Sequence, residues 1–190
     1  GLSLETDFDL ITADRRFRLL LHDFSVPSVL PPIIKALDDA QSSCSVEVIT
    51  PDWSRPHEAL TNGDADIMLD ISLHDQPGVT LEPLMDGEAV CVVREAHPTA
   101  RLVMAAGLER RVVAVVPNAA SLTVTIATTN LIAIVPRRYA ELVAPIYRLR
   151  ILPVPFEYPK TKIFLGWATE RADDPGLQWL RGLIRATFAS

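Results

Sequence analysis

The sequence predicts an α/β protein of two Rossmann-like lobes joined by two crossover strands. Three observations carry this reading. Short apolar strands alternate with amphipathic helices over the first seventy or so residues. A long extended stretch from Val79 to Val93, broken by Asp86-Gly87, then leaves that pattern. A second apolar strand, Lys162 to Trp167, returns and runs into a capped helix.

Phe17 to Leu21 reads as the first strand. A helix follows over Ser28 to Ala40, with Pro31 and Pro32 in its first turn, where amides have no partner within the helix. Ile33, Ile34, Leu37 and Ala40 fall on one side and form its expected buried face. Val46 to Ile49 is the second strand, ending at Thr50-Pro51. Ser54 caps a second helix that has Pro56 in its first turn, and Asn62-Gly63 stops it. Ile67 to Ile71 is the third strand. Continuously apolar strands separated by helices point to a parallel sheet covered on both faces.

Arg111 to Val116, Leu131 to Val135 and Arg150 to Val154 are the expected strands of the second lobe. Asn118 to Thr129 and Arg138 to Val143 are its helices, with Asn118 as an N-cap. The first of these helices is rich in Thr and Val, which are weak helix formers. Asp173 or Asp174 caps the last helix, Pro175 opens it, and Leu177, Leu180, Ile184 and Phe188 form its apolar stripe. The expected division is a linker over 1–16, a first lobe of 17–92 with 162–190, and a second lobe of 93–161.

Composition excludes several functions. With 190 residues and a net charge of −6, the chain lacks the basic face needed to grip a phosphate backbone by itself. Arg15-Arg16, Arg110-Arg111 and Arg137-Arg138 are isolated pairs, read as solvated edges. No apolar run is long enough to span a bilayer, so no membrane association is expected. Cys44 and Cys91 stand far apart among apolar residues; they read as small buried hydrophobes in a reducing, cytoplasmic compartment. No Gly-x-Gly cradle and no Gly-x-Ser-x-Gly elbow occur, and His22, His57, His74 and His97 never fall at metal-ligand spacing. His22-Asp23 and His74-Asp75 are neighbours in sequence, which on a strand point to opposite faces and make a poor catalytic dyad. No enzyme activity, metal or cofactor is therefore expected.

Several motifs carry a resemblance in fixed order. They are Phe17-Arg18-Leu19 with Leu30-Pro31-Pro32, then Gly63-Asp64-Ala65-Asp66-Ile67, then Arg94-Glu95-Ala96-His97-Pro98, and then Leu131 to Arg137. Leu152-Pro153-Val154-Pro155-Phe156-Glu157 with Lys162 to Trp167 and the last helix closes the series. In this order the chain resembles the effector-binding domain of LysR-type transcriptional regulators, in the branch of nodulation and aromatic-catabolism regulators. The resemblance implies a periplasmic-binding-protein type II-like fold and a small-molecule effector. It also implies side-by-side pairing into a homodimer or tetramer, with DNA contacted only through an N-terminal helix-turn-helix absent from this sequence. One departure stands out: Ala100 runs straight into Arg101, where the family has a polar loop, a helix and a strand. Residues are therefore expected to be missing at that junction.

In such folds ligands sit outside the carboxyl ends of strands, near helix N-termini. The segments expected to meet in the inter-lobe cleft are Asp23-Phe24-Ser25-Val26, Thr50-Pro51-Asp52-Trp53-Ser54, Asn118, and Phe156-Glu157. Alternative roles stand beside these: Ser25, Ser54 and Asn118 as helix caps, Phe24 and Trp53 as core aromatics. By the resemblance, Val29, Met85 and Gly87 also line the cavity. The candidate effector-binding set is thus Asp23, Phe24, Ser25, Val26, Val29, Pro51, Asp52, Trp53, Met85, Gly87, Asn118 and Phe156. Its apolar lining, with Asp23 and Asp52 near the mouth, points to an aromatic or largely apolar effector. The competing reading is a solute-binding protein of similar architecture feeding a transporter.

Overall fold

The computed structural model describes residues 9, 12–49, 55–70, 77–98 and 111–188. The chain divides into two compact units, Gly1–Asp86 with Lys162–Ser190, and Gly87–Thr161.

The first unit is built on strands β1 (Arg16–Leu21), β2 (Ser45–Ile49), β3 (Ile67–Asp70), β4 (Val79–Gly87) and a late strand Thr161–Ala168, labelled β8 in chain order. The sheet order is β2-β1-β3-β8-β4. β1 runs parallel to both β2 and β3, pairing Leu19 with Val48 and with Ile67. β8 is antiparallel to β3, with Leu165 opposite Leu69. Successive side chains on β1 go to opposite faces. Phe17, Leu19 and Leu21 join Val29, Ile33 and Leu37 of helix α1 (Val26–Asp39) and Leu177, Leu180 and Ile184 of helix α5 (Pro175–Phe188) in the main core. Leu20 points the other way, into a smaller cluster with Met68, Ala65 and Leu60 of helix α2 (Pro56–Thr61). Helices thus cover both faces of the sheet, as the apolar strands predict.

Helix α1 departs from expectation at its start. It begins at Val26, so Pro27 occupies the first turn while Pro31 and Pro32 lie inside the helix. Neither can donate to the carbonyl four residues back. The buried stripe is Val29, Ile33 and Leu37, spaced four apart; Ile34 is 47% exposed and Ala40 is the C-cap. The earlier start adds Val29, one turn before Ile33 on the same face, to the core stripe.

The N-cap of α2 is Arg55 rather than Ser54, because the helix starts directly at Pro56, while the stop of α2 and the start of α5 match their signals. Asn62 is the C-cap of α2, and Gly63 takes the left-handed φ of +76° that a side chain would strain. Asp174 is the cap of α5, accepting from the Leu177 amide at 3.0 Å, and Leu177, Leu180, Ile184 and Phe188 are all buried.

The second unit holds a three-stranded antiparallel sheet, β6-β5-β7, with β5 (Ala89–Arg94) central between β6 (Ala133–Pro136) and β7 (Leu149–Leu152). The unit boundary falls at Asp86/Gly87 rather than 92/93, which puts the whole of β5 with β6 and β7. Helix α3 (Ala119–Thr128) forms despite its composition: Asn118 caps it, Ala119, Thr123 and Ile126 are buried, and the hydroxyls of Thr123, Thr125 and Thr128 are each met by the carbonyl four residues back at 2.8 Å. Helix α4 (Arg137–Tyr147) runs longer than expected and ends at Arg148 in the left-handed region. Tyr139 ties the two helices together: its hydroxyl lies 2.6 Å from Thr123 Oγ1 and 3.0 Å from the Ala119 carbonyl.

One expected strand is not formed. Arg111 to Val116 has no ladder partner among the described residues, and Val112, Val113 and Val115 are 60%, 62% and 90% exposed. An apolar sequence is strand-like only where a neighbour completes its hydrogen bonds.

One arginine pair, Arg15-Arg16, proved more than a solvated edge, whereas Arg137 stays at an exposed edge. Arg15 holds Asp174 through two hydrogen bonds and lies over the Phe17 ring at 4.9 Å. Arg137 pairs with Glu88 at 2.6 Å.

Candidate functional site

The turn from β1 into α1 is the best-formed part of the expected site. The His22 carbonyl accepts from the Ser25 amide at 2.7 Å, which closes the turn over Asp23 and Phe24. The Ser25 carbonyl then accepts from the amides of Ser28 and Val29, and from the Ser28 hydroxyl. Pro27 has no amide to offer. A helix N-terminus normally presents unpaired amides to an anion. Here that supply is largely used up within the turn itself, so the site is poorly equipped for a carboxylate and better suited to an apolar group.

Side chains agree with this. Phe24 and Val26 are half-buried, Asp23 is exposed, and the Ser25 hydroxyl makes no capping hydrogen bond. Val26 and Met85 both pack on the main core of the first unit. Val29 is 1% exposed and wedged in that core with Ile33 and Leu37, so it acts as a packing residue there. Thr50, Pro51, Asp52, Trp53 and Ser54 lie outside the described residues, as does Ile71.

Three further candidates lie in the second unit. Gly87 sits against Thr161: a Cβ there would collide with Thr161 Oγ1, which also donates to the Gly87 carbonyl at 3.3 Å. A side chain at this position would have to displace the Thr161 hydroxyl, while the Thr161 backbone stays at ordinary contact distance. Asn118 is extended and accepts from the Ser121 amide at 2.7 Å, so its side-chain oxygen caps α3. Phe156 is 57% exposed and contacts the Tyr158 ring at a centroid distance of 6.4 Å. An open depression of about 610 Å³ in this unit lies elsewhere, between α4 and β7 along Glu95, Glu141, Arg148 and Arg150.

Other reactive groups are locked into structure. The His97 ring lies 3.0 Å from the Asn130 carbonyl, and Arg94 donates to the Asn130 side chain at 2.8 Å. Cys44 and Cys91 are unbridged and buried, and burial pushes the Cys91 thiol above its ordinary value. No cluster of three metal-ligating side chains occurs among the described residues, and none of the described helices is long and apolar enough to cross a membrane.

One pair that sequence reading passed over lies beneath α5. Arg181 falls on the same helix face as Leu177, Leu180 and Ile184 and is 6% exposed. Its guanidinium lies 4.2 Å from the centroid of Trp167, also 6% exposed. An arginine set within a leucine stripe was the available signal.

Comparisons with known proteins bear on this arrangement. The family described as the LysR substrate binding domain matches residues 12–103. The HTH-type transcriptional activator NagR of Ralstonia sp. is 26% identical, with all of this chain aligned to 72% of that protein. That alignment runs over 217 positions against 190 residues here, so NagR carries residues for which this sequence has no counterpart. Nodulation protein D 1 of Rhizobium tropici is 24% identical over 93% of this chain and 67% of its own length. Among solved structures, the regulatory domain of MexT, a transcriptional activator in Pseudomonas aeruginosa, is 23% identical. It superposes with a TM-score of 0.76 over 91% of this chain and 99% of that one. The likeness shows the fold, which is α/β and periplasmic-binding-protein type II-like.

Proposed function

This chain belongs to the LysR family through its substrate-binding domain, and on that premise we propose that its effector is aromatic or otherwise largely apolar. The chain is an effector-sensing regulatory domain of a transcriptional regulator. The observation that supports an apolar effector is the β1–α1 turn, where Phe24 and Val26 stand half-buried while the nearby amides are taken by the Ser25 carbonyl. An apolar ligand gains by covering such side chains and needs no unpaired donor. On this reading Asp23, Ser25 and Met85 of the first unit contribute contacts or shape beside Phe24 and Val26.

The domain acts without catalysis, as a cytoplasmic homodimer or tetramer, with DNA contacted by a helix-turn-helix outside these residues. The net charge of −6 supports assigning DNA contact elsewhere. Effector binding then biases one of two arrangements. To invert a one-to-ninety-nine balance, the effector must favour one state by about 5.5 kcal/mol.

A thermal-shift screen against aromatic acids, flavonoid-like compounds and small aliphatic acids tests this. A saturable shift with one aromatic class, reduced in Phe24→Ala, is the expected result. Tight binding of an aliphatic diacid with no aromatic response overturns it.

A further inference from the structure

We propose that the exposed face of α4 is a self-complementary surface on which a second copy of this chain docks, with the two α4 helices antiparallel. The face lies wholly within the second unit, apart from the β1–α1 turn. α4 buries Tyr139, Ala140 and Ala144 and leaves apolar side chains on its other side. Leu142, Ile146 and Tyr147 are 44%, 74% and 39% exposed, and Pro145 between them is exposed as well. Gathered on the last turns of one helix, they form a patch rather than scattered surface residues.

Charge selects the occupant. Glu141 and Arg148 stand seven positions apart, about two turns or 10 Å along the helix, and line the same depression between α4 and β7. Glu95 and Arg150 line it too, so two carboxylates and two guanidiniums share it. A strongly acidic or basic partner gains nothing from such a balance, whereas a copy of the same surface does. Glu141 has only a 3.7 Å pair with Arg137, and no ion pair engages Glu95, Arg148 or Arg150 among the described residues. An interface between identical copies about a two-fold axis is isologous. With the helices antiparallel, the Glu141 of each copy comes opposite the Arg148 of the other. Residues three and four apart share a side of a helix, so Leu142, Pro145 and Ile146 fall between the two ion pairs and cover one another.

Sedimentation velocity of this chain over a concentration series is the test, with circular dichroism confirming that each variant folds. The native chain is expected to associate reversibly, and less at high salt. Where it also pairs through another face, the α4 contact is the dimer-to-tetramer step. Glu141→Arg and Arg148→Glu should each weaken that step at least about tenfold, because each sets two like-charged pairs across the axis. Mixing the two variants should restore it, since each then supplies the charge that the other has reversed. Ile146→Ser should weaken it without changing its salt dependence. No association of the native chain, association that none of these substitutions alters, or a mixture no better than either variant alone overturns the proposal. Should Arg148→Glu not fold, Glu141→Arg and Ile146→Ser decide: unchanged association in both overturns it. The effector reading stands apart from every one of these results, because it is read by ligand-dependent unfolding of the first unit.

Discussion

Arg15 and Asp174, 159 positions apart in the chain, meet through two hydrogen bonds of 2.6 and 3.1 Å. The contact fastens the segment leading into β1 to the first turn of the last helix. Asp174 does two jobs at once, since the same Oδ1 that accepts from Arg15 also caps α5 at the Leu177 amide. Arg171 lies within 3.6 Å of the same carboxylate and pairs at 2.8 Å with the buried Asp66, which also takes the Arg18 amide at 2.7 Å.

Substitutions should separate these two jobs. Asp174→Ala removes both and is expected to cost about 2 kcal/mol. Asp174→Asn keeps an acceptor for the cap and loses the charge, so it should cost about half as much. Arg15→Met should lie near the asparagine variant. Chemical denaturation of the three proteins checks the order, and an alanine variant no worse than Arg15→Met would count against the capping role.

Acid should weaken the first unit through the same groups. Burial acts to raise the Asp174 carboxyl, but hydrogen bonds from Arg15 and the Leu177 amide, with the charges of Arg15 and Arg171, hold it below its ordinary value. Hydrogen bonds from Arg185 do the same for Glu82. A folded-state pKa below the unfolded one gives stability that is present above the unfolded value and lost as protons add to the folded form. Stability should therefore be level in the neutral range and fall from about pH 4 downward. Asp174→Asn should flatten that fall, which denaturant midpoints measured across pH will show.

Tyr139→Phe is expected to cost about 1–2 kcal/mol, since it leaves Thr123 Oγ1 without its 2.6 Å partner inside the second unit. Thr123→Val alone should cost about as much. In the double variant both polar groups are gone, so the combined loss should be smaller than the sum. Strict additivity in a double-mutant cycle would show that the two hydroxyls do not act together.

Both thiols should resist modification in the folded state. Cys91 is buried and its thiol is held protonated by that burial, and Cys44 is buried as well. Ellman's reagent should report no fast-reacting thiol until denaturant is added. A rapid reaction in native buffer would indicate opening of the core around β5.

Much of the first unit was legible because its signals are local. Alternating strands, the Asn62-Gly63 stop and the Asp174-Pro175 start each need only nearby residues to act. The start of α1 was misjudged because proline rules favour the first turn, yet core packing tolerated Pro31 and Pro32 within the helix to bring Val29 inward. Arg111 to Val116 reads as a strand from composition alone, but a strand depends on a partner, and none is described beside it. The loop, helix and strand absent at Ala100/Arg101 stay an expectation of the family resemblance. An intact mass of the native polypeptide above 20.9 kDa is expected on that basis. Of the candidate site, the β1–α1 turn was readable because it adjoins a clear strand. The Trp167–Arg181 pair was not, because a cation inside a core becomes visible only when two distant elements are packed together.

Three prolines in the fourteen residues of α1 have a thermodynamic consequence. Each removes an amide from a helix whose average propensity is already low, so isolated α1 has little reason to form. Its order is borrowed from Val29, Ile33 and Leu37 against the sheet. A molecule that covers Phe24 and Val26 at the head of this helix adds to the same packing. Occupancy of the turn and persistence of the helix are then linked functions. Effector concentration would be read out as slower amide exchange along Ile33 to Leu37 before any larger rearrangement takes place.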